Sequence, residues 1–228
     1  MPVIPGSPPV EITLRRSPRA RRFSLRVSRL DGRVTLSMPA RASEREAFQF
    51  ALSQEDWIRR ALKSLPDVPP VAPGAWLPVE GVPRLIMPGE GRSVRLEGES
   101  LAVPGHADQV PARLAAFLKV RARDRLAEAT DRHAAVLGLG YRSITLRDTR
   151  SRWGSCTAEG GLMYNWRLIM APLPVLDYVA AHEVAHLAEM NHSPAFWAVV
   201  ARLYPGYQTP RRWLKTRGTE LHAFRFGS

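Results

Sequence analysis

Apolar and polar residues alternate over residues 11–14 and 23–29, as they do in half-buried strands. Asp31-Gly32 is a hairpin turn signal, and Val34, Leu36 and Met38 continue the alternation until Pro39 stops it. The period then changes. Ser43 reads as a helix N-cap with Glu46 completing a capping box, and Phe50, Trp57, Ile58 and Leu62 predict a helix to about Leu65. Proline-rich residues 66–83 predict a loop or an extended edge segment, with short strands following at 84–87, 94–96 and 101–103. Pro111 opens a long helix to about Leu137, with Leu114, Phe117, Leu118 and Leu126 on its apolar stripe and Gly138 and Gly140 closing it. Strands are predicted around Ile144 to Asp148 and over 162–169. A helix follows over 174–190, and Ser193-Pro194 starts another that Pro205-Gly206 ends. The pattern predicts an α+β protein: a flexible tail over 1–14, a β-rich region with one helix over 15–105, and a second region over 106–228.

The helix predicted over 174–190 carries His182-Glu183-Val184-Ala185-His186, an H-E-x-x-H. Positions four apart on a helix lie one turn apart on the same face, so both imidazoles address one point, as two ligands of a single Zn²⁺ must. Leu176, Ala180, Val184 and Leu187 supply the opposite, core-facing side. A catalytic zinc takes three protein ligands and leaves one position open. His192 is the best third ligand, provided that Asn191 takes a left-handed C-cap and turns the chain back. The spacing matches the metzincin pattern, but Glu189 stands where that pattern has glycine, which argues against membership. Glu183, one residue's rotation away from the ligands, is placed to take a proton from a water activated by the metal. His106, His133 and His222 have no comparable setting, and His133 reads as a solvated residue of a charged helix.

Charge changes the picture less. The chain carries 33 Lys plus Arg against 21 Asp plus Glu, a net +12, and 30 of the 33 are arginine. The excess sits at both ends: +6 over 1–60, −2 over 61–110 and +8 over 111–228. Either a polyanionic partner or an arginine-rich solvated surface accounts for it. Arg15, Arg16, Arg19, Arg21 and Arg22 form the densest run and are the better nucleic-acid candidate. The cluster Arg211, Arg212, Lys215 and Arg217 around Trp213 reads rather as a terminal helix with its charges in water. A single cysteine, Cys156, excludes an internal disulfide. With no basic start and no apolar run at the N-terminus, and with polar breaks throughout 168–190, the expectation is a soluble cytoplasmic protein.

HEVAHLAEMNHSPAFW, preceded by SRWGSC and followed by Pro205 and Trp213-Leu214-Lys215, resembles the YgjP-like metallopeptidase domain family, related to the WLM and SprT-like zinc peptidases. The resemblance spans about residues 15–217. It implies a zincin-like catalytic half, one zinc held by His182, His186 and His192, and Glu183 as catalytic base, with no defined substrate. In zincin-like folds an edge strand pairs with an extended substrate, so 163–166, with Tyr164 and Asn165, is the candidate binding strand. Arg152 is a candidate for a substrate carboxylate, a phosphate or a developing oxyanion, or else a structural ion pair. Trp153 and Cys156 read as packed residues. The function expected is a zinc metallopeptidase. Two alternatives stand beside it: a metal-dependent nucleotide phosphohydrolase, against which the lack of a Walker-type loop weighs, and a nucleic-acid-binding module with a structural zinc.

Overall fold

The alternation at the N-terminus becomes a four-stranded sheet: β1 (Val3–Ile4), β2 (Val10–Ser17), β3 (Ser24–Val27) and β4 (Val34–Pro39), ordered β1-β2-β4-β3. The structure, a computed structural model, describes residues 2–28, 32–64 and 70–226. It divides into two units, Met1–Val68 and Pro69–Ser228. In the first, β2 and β4 run parallel, with Ile12 opposite Val34 and Leu14 opposite Leu36. β3 and β4 pair antiparallel from Val27↔Val34 outward, as a hairpin requires; Arg29 and Asp31 of the expected hairpin lie outside the described residues.

Ser43 caps the following helix as its sequence predicts. Its hydroxyl accepts from the Glu46 N–H at 3.2 Å, and the Glu46 carboxylate accepts from the Ser43 N–H at 3.0 Å. The single helix expected to about Leu65 is instead two, α1 (Glu44–Ser53) and α2 (Glu55–Lys63); Leu65 lies outside the described residues. At the break the Ser53 hydroxyl donates to the Phe50 carbonyl, and the Gln54 N–H drops back to Ala51 and Leu52. Polar side chains bonding nearby backbone loosen a helix in this way. Ile4, Ile12, Leu36, Met38, Ala47, Ala51 and Ile58 fill one core.

The tail expected over 1–14 is corrected by β1 and β2. Ile4 is fully buried, and the Arg59 guanidinium donates to the Pro5 and Pro8 carbonyls at 2.8 and 3.1 Å. One apolar anchor and one guanidinium hold a stretch whose prolines give no periodicity.

The second unit opens with β5 (Trp76–Val79), β6 (Val82–Gly89), β7 (Arg95–Glu97) and β8 (Ser100–Pro104), in the order β5-β6-β8-β7. The expected boundary at 105/106 falls inside this unit. Leu101 and Val103 of β8 share a core with Leu114 and Leu118 of α3 (Val110–Leu137), so burial joins what the sequence pattern separates. Pro111 in the first turn and Gly138 at φ 68° bound α3 as expected.

Three strands then form β10-β11-β9: β9 (Ser143–Arg147), β10 (Gly154–Cys156) and β11 (Gly161–Asn165). β11 runs parallel to β9 and antiparallel to β10. The strand expected over 162–169 stops at Asn165, whose side chain caps a 3₁₀ turn, Trp166–Met170, by accepting from the Arg167 N–H. Helices α4 (Leu173–Ala185), α5 (Pro194–Leu203) and α6 (Gln208–Arg217) follow, and a short 3₁₀ turn, Gly218–His222, lies beyond α6. Among the described residues no helix is long and apolar enough to cross a membrane.

Candidate metal centre

His182 and Glu183 lie in the last turn of α4, and His186 is its C-cap. The helix therefore ends earlier than the expected Met190. Beyond it the Leu187 and Ala188 N–H groups reach back only three residues, to Val184 and Ala185, and the chain turns. Asn191 does not take the left-handed conformation expected of it; among the described residues only Glu80 does so without being glycine. A Ser193 N–H to Asn191 carbonyl bond of 2.8 Å tightens the turn instead. Ser193 then caps α5, its hydroxyl accepting from Phe196 at 3.3 Å, and Pro194 starts the helix. His192 is thus held between two helix ends.

The three rings meet over Phe196. His182 stands 5.1 Å from both His186 and His192, centroid to centroid, and His186 stands 4.8 Å from His192. Phe196, fully buried, lies 4.4 to 4.9 Å from each ring. One ligand atom from each histidine falls within 4.8 Å of the others, and the His182 and His192 Nε2 atoms face each other at 3.1 Å.

The donor chemistry suits a divalent ion. His186 Nδ1 lies 3.0 Å from the Glu189 carbonyl, which can only accept. The proton therefore sits on Nδ1 and the Nε2 lone pair is free. Burial, then the neighbouring histidines and Arg211, push His182 down to about 3; burial likewise lowers His186. Both are neutral at pH 7, as ligands must be. His182 Nδ1 is buried without a partner. The three side chains fit an ion that takes nitrogen donors.

Glu183 is 4% exposed, and burial raises its carboxyl to about 8 against the lowering charge of Arg152. β10 passes directly beside it. A Cβ on Gly154 would stand 2.6 Å from the Glu183 carboxyl carbon, so only glycine permits that approach. The glycine inside Trp153-Gly154-Ser155 was the available sequence signal for this contact, and its role was not foreseen. An open depression of about 380 Å³ adjoins His186, lined also by Leu139, Thr157, Glu159, Leu187 and Met190.

Other expected site residues fare differently. Tyr164 and Asn165 are fully buried: the tyrosine hydroxyl bonds Thr130 at 3.0 Å, and the Asn165 amide donates to the Thr149 carbonyl. They are corrected to packing residues. The binding strand predicted over 163–166 is corrected as well, because β11 is bonded on both sides; the edges are β9 and β10, and β10 is the one that passes beside Glu183. Arg152 is exposed two residues before β10 begins. His133, expected in solvent, is 4% exposed and bonds Asp177 at 2.8 Å.

Cys156 lies on β10, and burial followed by the charge of Glu183 holds its thiol up, in the protonated form. Trp153 packs on the core, 5.0 Å from the His222 ring. His106 is exposed. Arg15, Arg16, Arg19, Arg21 and Arg22 lie exposed in the first unit, and Arg16 donates to the Ala40 and Ala42 carbonyls.

The sequence model of the YgjP-like family, described as YgjP-like, metallopeptidase domain, matches residues 21–217. This chain belongs to that family. As a YgjP-like metallopeptidase domain it is a metal-dependent hydrolase of peptide bonds. The crystal structure of the metallopeptidase zymogen of Pyrococcus abyssi abylysin is similar at 19% identity, over 40% of this chain and 95% of that one, with a TM-score of 0.36. At that level the likeness adds nothing on chemistry. No curated protein matches the chain.

Proposed function

We propose that this YgjP-like domain is a zinc peptidase of zincin type, its active site lying within residues 106–228. One zinc ion per chain would be held by His182, His186 and His192. The convergence of those three imidazoles beside a buried glutamate carries the proposal. When bound, the ion supplies Lewis acidity to a peptide carbonyl and positive charge to the site.

The chain's own residues do the rest. Glu183 takes the proton of the attacking water on its carboxylate and gives it to the leaving amine nitrogen. Positive charge favours the ionised carboxylate, so loading the site brings Glu183 down from the raised value that burial imposes on it. The free edge of β10 offers backbone groups to an extended substrate, which fixes the scissile bond over the histidines. Arg152, exposed beside Glu183, faces the negative charge that develops on the carbonyl oxygen.

Donor count favours this over a structural zinc. Among the described residues three side chains gather here, whereas a closed site takes four. For nucleotide hydrolysis or nucleic-acid binding there is no comparable observation among the described residues. The test is zinc content and peptide hydrolysis by the purified chain. Glu183→Gln is expected to keep its zinc and lose about 100-fold or more in kcat. Full activity in that variant overturns the assignment of the base. A chain that binds no metal overturns the site.

A further inference from the structure

An aromatic ladder runs outward from the histidines. Tyr178 of α4, 5% exposed, meets His182 edge-on at 6.0 Å and stacks on Tyr207 at 6.3 Å, with planes 13° apart. Tyr207 stacks on Trp197 at 5.3 Å, and the indole lies 5.7 Å from His182 and 5.9 Å from His192. On that indole rests Arg211, its guanidinium carbon 4.3 Å from the ring centroid.

Several arginines of this unit are paired, and Arg211 is not. Arg121 and Arg125 bond Glu80, Arg132 bonds Asp177, Arg167 bonds Asp148 and Arg217 bonds Glu220. Arg211 is exposed, and among the described residues no hydrogen bond or ion pair holds its guanidinium. The cation–π contact satisfies none of its five N–H donors, so the fork stays available to a planar anion.

We propose that Arg211 determines specificity by taking a carboxylate of the peptide substrate next to the bond to be cut. The carboxylate comes from an aspartate or glutamate side chain or from a free C-terminus. A guanidinium fork binds a carboxylate through two parallel hydrogen bonds. Trp197 holds it in place, and an arginine resting over a ring beside the histidines serves a ligand at that site rather than at a remote surface. The inference rests on the peptidase assignment above.

Three acetylated heptapeptides of glycine and alanine separate the sources: one with a central aspartate and an amidated end, one with asparagine in its place and an amidated end, and the asparagine peptide with a free C-terminal carboxylate. Binding to zinc-loaded full-length Glu183→Gln protein is measured by titration calorimetry. Whichever carboxylate peptide Arg211 recognises is expected to bind about 10- to 100-fold more tightly than the amidated asparagine peptide. Adding Arg211→Gln is expected to erase the difference, Arg211→Lys to restore part of it, and Arg212→Gln, an exposed neighbour on α6, to leave it intact. In the active protein the preference is expected in KM rather than kcat. Equal binding of all three peptides, no binding of any, or a preference that survives Arg211→Gln overturns the proposal. Cleavage indifferent to the carboxylate overturns it while leaving the peptidase intact. Carboxylate-selective binding without cleavage of any peptide does the reverse.

Discussion

Asp177 and Glu183 stand on one helix, α4, each beside a histidine, and the helix treats them in opposite ways. Asp177 accepts from the buried His133 at 2.8 Å and from Arg132 at 2.6 Å. Although burial pushes its carboxyl up, those partners hold it below the ordinary value. Glu183 is more deeply buried, and burial raises it to about 8 with only the charge of Arg152 opposing. The histidines repeat the contrast. His133 is bonded to the Asp177 carboxylate, whereas His182 has an unpartnered Nδ1 and turns its other nitrogen toward His192. A fold that needed α4 only for packing would pair both ends, because unpaired buried polar groups cost stability. The end left unpaired is the end that awaits a ligand.

The contrast breaks most visibly with His182→Ala against His133→Ala. Losing one of three donors is expected to weaken zinc binding by more than about 100-fold, exceeding the usual effect of outer partners on a metal site. His133→Ala is expected to leave zinc binding in place and to cost about 1–3 kcal/mol of folding stability, because Asp177 loses a partner. Metal titration and urea melts on both variants check this. Equal loss of zinc from both would erase the distinction between the two ends.

Gly154→Ala tests how closely Glu183 must be held. A methyl group there meets the Glu183 carboxyl, so the side chain or β10 must shift. Displacing a reacting group by about 1 Å costs on the order of 100-fold in turnover. The expected result is a fall of that size with zinc retained. The same change at Gly74 or Gly98, where a Cβ meets nothing within 4 Å, gives the comparison, although positive φ strains both positions. Unchanged turnover in Gly154→Ala would show that the close approach is incidental.

Local chemistry was legible in the sequence, and spatial order was not. The capping box of Ser43 and Glu46, Pro111 and Gly138 at the ends of α3, and the spacing of His182, His186 and His192 each depend on residues within a few turns. Tyr164 and Asn165 were misread because strand alternation says which residues face inward but not which strand is outermost. β11 becomes the central strand only because it pairs parallel with β9 as well as antiparallel with β10, which leaves those two at the edges. The same holds for His133. Its neighbours in sequence are charged, and its partner Asp177 arrives from another helix. The end of α4 at Ala185 rests on short backbone bonds that propensity does not encode. Arg211 was visible as one cation among several, and only its place on Trp197 separates it from them.

Stability against pH sharpens the comparison, with opposite signs at the two ends of α4. In the metal-free protein the folded Glu183 keeps a proton that the unfolded chain releases between about 4.5 and 8, so folding loses stability as pH rises through that window. Glu183→Gln is expected to remove this loss, stabilising the metal-free chain by about 2–4 kcal/mol at pH 8.5 relative to its effect at pH 4.5. Urea melts at the two pH values measure it. A variant whose benefit does not grow with pH would place the ionised carboxylate in a favourable site even without metal.

Asp177 gives the smaller and opposite effect. Its folded value lies below the ordinary 3.8, so its contribution is present above that pH and is lost as pH falls through the lowered folded value. Because its side chain is 28% exposed, solvent weakens the pairing with Arg132 and His133, and about 1 kcal/mol is expected. Asp177→Asn should therefore destabilise at pH 6 and approach neutrality near pH 2.5, with zinc binding unaffected at neutral pH. If the asparagine variant instead loses zinc, the two ends of α4 are coupled, and the division of the helix into a paired structural end and an unpaired chemical end fails.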